Sequence, residues 1–387
     1  MTQPASTPTS TPPPLLSPER LAGARRPLER AMTLPAEAFT SPDVYAAEVE
    51  RILEREWLCA GRLDQVPEPG DYFSLDLLGE KLVVVRGRDR EVRVMSRVCR
   101  HRAAELTRGT GHAHSFQCPY HAWTYGLDGR LVGAPMMEGA EGFERGDCRL
   151  PEMRSEVWEG WIFVNFDAEA APLGPQLAPL AKRLEGYAMS ERVAVETATF
   201  DSPFNWKVLV DNFMEAYHHI ATHRDTLESV FPAARSHTPD NEGPYSLLVM
   251  PERDGAELPP TGLPRAGRVA PEDEHALVAA VVYPFHLFAP TPDALTWYQI
   301  LPHGHDGFTL RIYSCFAREA LDDPAHAEAI DGLQAFTKVV HHQDIGACEA
   351  VWSGLASRAF ESGRLSPLEK PIWQFNQWWI ERMAGAV

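Results

Sequence analysis

Cys99-Arg-His101 and, after sixteen further residues, Cys118-Pro-Tyr-His121 form two Cys/His couples. Two thiolates and two imidazoles at Cys-x-His and Cys-x2-His spacing can hold one [2Fe-2S] cluster. The thiolates would bind one iron and the neutral imidazoles the other, which raises the reduction potential above that of an all-thiolate cluster. Each couple is expected on a short loop, with the residues between forming a hairpin that presents both loops to one cluster. Zinc also accepts mixed Cys/His ligands, but its motifs more often join Cys-x2-Cys to His-x3-5-His. The spacing favours iron and sulfide over zinc.

A second concentration of ligand-type residues is Asp211-Asn-Phe-Met-Glu-Ala-Tyr-His-His-Ile-Ala-Thr-His223, with three histidines and two acids on a segment expected to be helical. An isolated histidine in such a run is usually structural or solvated, but three within six residues favour a ligand site. Helix geometry alone selects His219 and His223, four apart on one face. His218 and His223 would diverge on a regular helix and converge only where its end unwinds.

The elements that must position these groups show in the hydrophobic pattern. Pro42 to Trp57 reads as an amphipathic helix with Val44, Val49, Ile52 and Leu53 between charges. Short β-type runs follow at Tyr72-Phe-Ser-Leu, Lys81-Leu-Val-Val-Val and Val92-Arg-Val-Met, with Gly70, Gly79 and Gly87 as turns. Val157 to Phe166 reads as one more alternating strand that ends a first domain. Ala171 to Ala188 turns helical after an interruption by proline, and Glu196 to Phe204 returns to β character. Residues 237–272, rich in Pro, Gly and charge, suggest a long loop or lid. Strands are expected at Leu277–Phe288, Ala294–Leu301 and Phe308–Phe316, and helices at Pro324–Gly363 and Pro371–Ala384. The whole reads as α+β with antiparallel strands in both domains.

The 387 residues suffice for two domains with substantial cores. A net charge of -18 argues against nucleic-acid or anionic-membrane partners. No apolar stretch reaches membrane-spanning length. Met1 to about Pro18 reads as a Pro/Ser/Thr-rich linker rather than a signal peptide. Of six cysteines, Cys59, Cys148, Cys315 and Cys348 lack paired spacing, which suits a reducing cytoplasm. No Gly-rich dinucleotide fingerprint is present, so nicotinamide oxidation would fall to another protein.

Val98-Cys-Arg-His-Arg-Ala-Ala-Glu-Leu106 and Gln117-Cys-Pro-Tyr-His-Ala-Trp-Thr-Tyr-Gly-Leu-Asp-Gly-Arg-Leu131 resemble the Rieske domain of Rieske non-heme iron oxygenases. Asn205-Trp-Lys followed by Asp-Asn-x2-Glu-x-Tyr-His-x4-His resembles the mononuclear-iron motif of their catalytic alpha subunits. The resemblance covers residues 40–385 and is weakest through 225–320. It implies Cys99, His101, Cys118 and His121 as cluster ligands, and His218 and His223 as iron ligands. His219 is then left to packing or the surface. The third ligand would be Asp344, on the late helix that supplies it in the family, with Glu349 as a competitor and His341 and His342 as packing or surface residues. Glu215, where relatives often place Asp, would bridge the two centres between subunits, with Asp211 as the alternative. Asn212 and Tyr217 would orient ligands. Ala103 stands where many relatives carry Gly, implying that this loop needs no left-handed backbone.

The implied architecture is a disordered tail and N-terminal segment (1–39), an antiparallel Rieske β-domain (40–166) and a START-like, helix-grip catalytic domain (167–387). The implied reaction uses O2 at Fe(II), with electrons from NAD(P)H through a separate reductase, with or without a ferredoxin. The implied assembly is a homotrimer, with or without a small beta subunit. Tyr283, Phe285, Phe288, Trp297 and Tyr298, with Leu287 and Leu295, would suit hydroxylation of an aromatic or hydrophobic small molecule. The alternative is N- or O-demethylation of a methylated or quaternary ammonium substrate, held in an aromatic cage. A pure electron carrier and a zinc-stabilised binding protein are the readings from other classes.

Overall fold

The computed structural model describes residues 16–256 and 261–384. The expected N-terminal linker falls largely on residues 1–15, outside them. Residues from Leu16 onward are folded: Leu16, Leu21, Ala24 and Leu34 are buried, and the Trp373 and Gln377 side chains donate to the carbonyls of Arg26 and Ala24. The N-terminal segment is thus fastened to the last helix, Lys370–Arg382.

All strand pairs are antiparallel, as the alternating pattern implied. A seven-stranded sheet and a three-stranded sheet build the first half, and a six-stranded sheet builds the second. The six-stranded sheet buries both faces. On one, Leu287, Ile300, Leu310 and Ile312 pack on Trp206, Leu209 and Trp379 from helices. On the other, Phe288, Trp297 and Tyr313 meet Trp158, Trp161 and Phe163 of the first half. Polar ties cross the same seam. Arg62, fully buried, donates through Nη2 to the carbonyls of Met189 and Arg192, each at 2.9 Å. Gln299 donates to the carbonyl of Ala60 at 3.1 Å.

Several expected elements are cut differently. The helix from Pro42 ends at Glu48, and a wider π turn continues over Val49–Leu53, short of Trp57. The run 157–166 is a hairpin, with strands Glu152–Trp158 and Trp161–Asn165 joined where Glu159 and Gly160 take φ of +48° and +83°. Two consecutive left-handed residues make the tight turn whose twist suits a hairpin. The run 277–288 is two strands, Ala276–Val282 and His286–Pro290, because Pro284 has no N–H for the ladder. Inside the expected lid at 237–272 lies a strand, Tyr245–Pro251, paired with Ala276–Val282. The expected helix at 324–363 runs Ala327–Leu355 after one 3-10 turn.

Candidate metal centres and the cavity beside them

Each Cys/His couple has its own hairpin loop; no hairpin of the intervening residues presents them jointly. An isolated bridge between Val98 and Glu105 closes the first loop, and Phe116–Gln117 paired with Thr124–Tyr125 closes the second. The loops share one backbone pattern. Ala103 donates to the carbonyl of Cys99 at 3.0 Å and Ala122 to that of Cys118 at 3.1 Å. Both alanines are left-handed, φ +57° and +59°, so the inference that Ala103 needs no such backbone is overturned. The short loop demands the conformation, and Ala bears its steric cost.

Cys99 and Cys118 are each 2 % exposed, whereas His121 is open to solvent. The His101 and His121 rings lie 4.6 Å apart, Trp123 stacks on His101, and the buried Nδ1 of His101 has no protein partner. The Tyr125 hydroxyl lies 3.4 Å from Cys99 Sγ and accepts from the Arg100 amide at 3.0 Å. Two inward sulfurs, two outward imidazoles and an orphaned ring nitrogen fit a [2Fe-2S] cluster held by these residues.

At the second site the helix Trp206–Phe213 stops, and a 3-10 turn forms over Tyr217–Ile220. This unwound end brings His218 beside His223, ring centroids 4.9 Å apart. It sends His219 away, to bond through Nδ1 with the carbonyl of Phe231 at 3.1 Å. Burial lowers the His219 pKa to about 4, so it sits neutral in the packing. Asp344 arrives from the long helix Ala327–Leu355, its Oδ1 2.8 Å from His223 Nε2 and 3.4 Å from His218 Nε2. One ligand atom from each of the three lies within 4.8 Å of the others.

Both histidines commit Nδ1 elsewhere. That of His218 donates to Glu215 Oε1 at 2.6 Å, and that of His223 to Gln343 Oε1 at 2.7 Å. Such partners fix the tautomer that offers Nε2 to a metal. Burial works against a charged His218, but bonds to Asp344 and Glu215 carry its pKa up to about 9. Burial likewise works against a charged Asp344, but bonds to His218 and His223 carry it down to about 2. Asp344 and Glu215 thus draw positive charge to this point, a proton on His218 that a bound Fe(II) would have to replace.

Gln343 was not singled out by sequence; an amide beside Asp344 on a helix carries no signal until His223 is seen to face it. Glu349 is exposed and His342 bonds its own helix at the Lys338 carbonyl. His341 is buried against Phe200 and Tyr298. Asp211 makes no hydrogen bond to His218 or His223; its carboxyl, pushed up to about 8 mainly by burial, feels Lys207, Glu369 and Glu215. Asn212 lines the adjoining cavity, while Tyr217, expected to orient ligands, is 48 % exposed.

The cavity measures about 1180 Å³ and opens onto His218, His223 and Asp344. Of the aromatics singled out in sequence, only Tyr298 lines it; Phe213, Phe231, Phe316 and Phe336 supply the others. Side chains alternate along a strand, so Ala294, Thr296 and Tyr298 face the cavity while Leu295 and Trp297 face the first half. Tyr283 is bonded to Ser246, and Phe285 packs edge-on to Trp206.

A model of the ring-hydroxylating alpha subunit catalytic domain matches residues 189–385, just over half of the chain, and one of the Rieske [2Fe-2S] domain matches residues 56–144. The chain belongs to the ring-hydroxylating alpha subunit family. In this family setting it is 36% identical over 204 residues to the carnitine monooxygenase oxygenase subunit of Acinetobacter baumannii, covering 52% of this chain and 55% of that protein. The chain thus spans about half the length of these carnitine-type relatives. It is 28% identical over 360 residues to the chloroplastic choline monooxygenase of Spinacia oleracea, covering 91% and 78%. A solved quaternary ammonium Rieske monooxygenase superposes with a TM-score of 0.78 at 26% identity, covering 91% of this chain and 95% of that one. Naphthalene 1,2-dioxygenase from Rhodococcus sp., at 22% identity and a TM-score of 0.75, shares the fold. Among the described residues no helix is long and apolar enough to cross a membrane.

Proposed function

We propose that this alpha subunit monooxygenates a substrate carrying a quaternary or tertiary ammonium. The observation that carries the reading is the cavity: the aromatic side chains of Tyr298, Phe213 and Phe231, together with carboxylates, line a space that opens on the His218–His223–Asp344 trio. An ammonium desolvated against aromatic faces gains about 2 kcal/mol. The likeness to carnitine and choline monooxygenases, and to a quaternary ammonium Rieske monooxygenase, supports the same substrate class. Aromatic hydroxylation, the main reading of the sequence, draws support from the family match and a shared fold, but only one of its candidate aromatics lines the cavity.

What the bound groups supply is dioxygen activation at the trio and single electrons from the Cys99, His101, Cys118 and His121 loops. The chain's own residues hold the geometry. Glu215 and Gln343 keep both imidazoles turned, Asp344 adds the anionic third donor, and the aromatic wall orients the ammonium. Hydroxylation of a carbon next to nitrogen gives a carbinolamine, which collapses to an amine, a proton and an aldehyde. One oxygen atom of O2 enters the aldehyde, and two electrons and two protons reduce the other to water. The electrons come from a separate NAD(P)H-oxidising reductase, with or without a ferredoxin, and the working unit is a homotrimer in which Glu215 connects this trio to another copy's Cys/His loops.

The test is reductase-coupled oxygen uptake with quaternary amines, methyl ethers and aromatic acids, with amine and aldehyde release measured in the same wells. Uptake with amine and aldehyde in equal amounts supports the reading. Uptake confined to aromatic acids, giving phenols or diols, overturns it.

A further inference from the structure

The cavity is much longer than an ammonium head requires. Its wall on the long helix runs from Asp344 through Val340, Phe336 and Leu333 to Ala329; at 1.5 Å per residue these positions span about 22 Å. The sheet follows the same course. Tyr298 lies at the metal end, and Thr296 and Ala294 lead outward beside their register partners Ser314 and Phe316. The outer end is apolar, with Leu263, Ala294, Phe316, Ala329 and Leu333 in one cluster. The volume of about 1180 Å³ exceeds the roughly 300–1,000 Å³ usual for a whole drug-sized ligand.

Charge at the outer rim is one-sided. Glu252, Glu274 and Asp293 line it against one arginine, Arg265. Arg265 is bonded to Glu274, and His275 to Glu252 at 3.2 Å. Asp293 is held by the hydroxyls of Thr261 and Thr291. Among the described lining residues no cation outside the metal trio and its neighbour His219 is left without a carboxylate partner. Among the described residues, a substrate carboxylate at this end would meet three acids and no free base.

We propose that the substrate is an N-alkyl ammonium with a long, uncharged chain. The ammonium lies against Tyr298 and Phe213, and the chain runs outward between the long helix and the sheet to the acidic rim. This rests on the ammonium reading of the site and narrows it: short betaines and terminal carboxylates are poor fits.

Each buried methylene is worth about fourfold in affinity. The experiment measures anaerobic calorimetric binding to the metal-loaded protein, and reductase-coupled turnover, for butyl-, hexyl- and octyltrimethylammonium and for an octyl analogue ending in a carboxylate. Octyltrimethylammonium is expected to bind at least tenfold tighter than the butyl compound and at least tenfold tighter than its carboxylated analogue. Ala329→Trp, on the helix, and Thr296→Trp, on the sheet, each fill the outer channel. Either is expected to cut the octyl-to-butyl ratio at least fivefold. A flat or falling dependence on chain length, or tighter binding of the carboxylate, with short ammonium compounds still turned over, overturns the long-chain proposal and leaves the ammonium reading intact. No binding and no turnover of any ammonium compound overturns both.

Discussion

Gln343 does for His223 what Glu215 does for His218: an acceptor at Nδ1 holds the ring so that Nε2 faces Asp344. Thr226 in turn donates to the same Gln343 oxygen at 3.0 Å, so the amide is itself fixed. Gln343→Leu keeps the helix and removes the acceptor. It is expected to weaken mononuclear iron binding about 10- to 100-fold, read by iron titration, with the [2Fe-2S] absorption spectrum unchanged. At this scale the Cys/His couples were legible because ligand chemistry constrains type and spacing together. The left-handed backbone of Ala103 is not legible in sequence, because only the closed loop reveals it. Gln343 carries no sequence signal because its role depends on a residue 120 positions away.

The helix Trp206–Phe213 owes its placement to a buried ion pair. Lys207 donates through Nζ to Glu48 Oε1 at 2.6 Å, Trp379 donates to the same oxygen, and both charged side chains are fully buried. Three elements, the N-terminal helix Pro42–Glu48, the helix carrying Asn212 and the last helix, meet at that carboxylate. Lys207→Met strands the Glu48 charge and is expected to cost about 3–5 kcal/mol, whereas the double variant Lys207→Met with Glu48→Leu recovers most of the loss. Urea unfolding of both variants checks this, and a double variant as unstable as the single one would refute it. Element types were largely legible, since alternation marked the strands and apolar spacing the helices. Their ends were less so. Turn geometry at Glu159–Gly160 and the missing N–H of Pro284 cut strands within otherwise continuous apolar runs. The unwinding before His218 was legible only as the condition for His218 and His223 to meet.

The two halves join through an apolar seam, and His286 lies within it. The ring sits 4.6 Å from Trp161 and 5.0 Å from Phe163, and neither nitrogen has a hydrogen-bond partner. Burial, with Arg62 adding, drives its pKa well below the ordinary histidine value. The folded chain therefore holds His286 neutral, while the unfolded chain takes up a proton below about pH 6.5. Stability must fall as pH drops through that value, by about 1.4 kcal/mol per pH unit. His286→Phe removes this one contribution. Its advantage over the parent in denaturant unfolding is expected to widen from about pH 7 to pH 5; a constant difference would show that His286 takes up a proton in place. None of this seam could be read from sequence, because partners such as Gln299 and Ala60 lie 239 residues apart and nothing local marks which sheet face meets the other domain.

Two metal centres with separate ligand sets are expected in one chain. The most direct test is Asp344→Ala, with total iron, acid-labile sulfide and the cluster spectrum measured on the same sample. Loss of the mononuclear iron and of substrate-coupled oxygen uptake is expected, with sulfide content and the Rieske spectrum retained. Loss of sulfide and spectrum together, or undiminished oxygen uptake, would contradict this expectation.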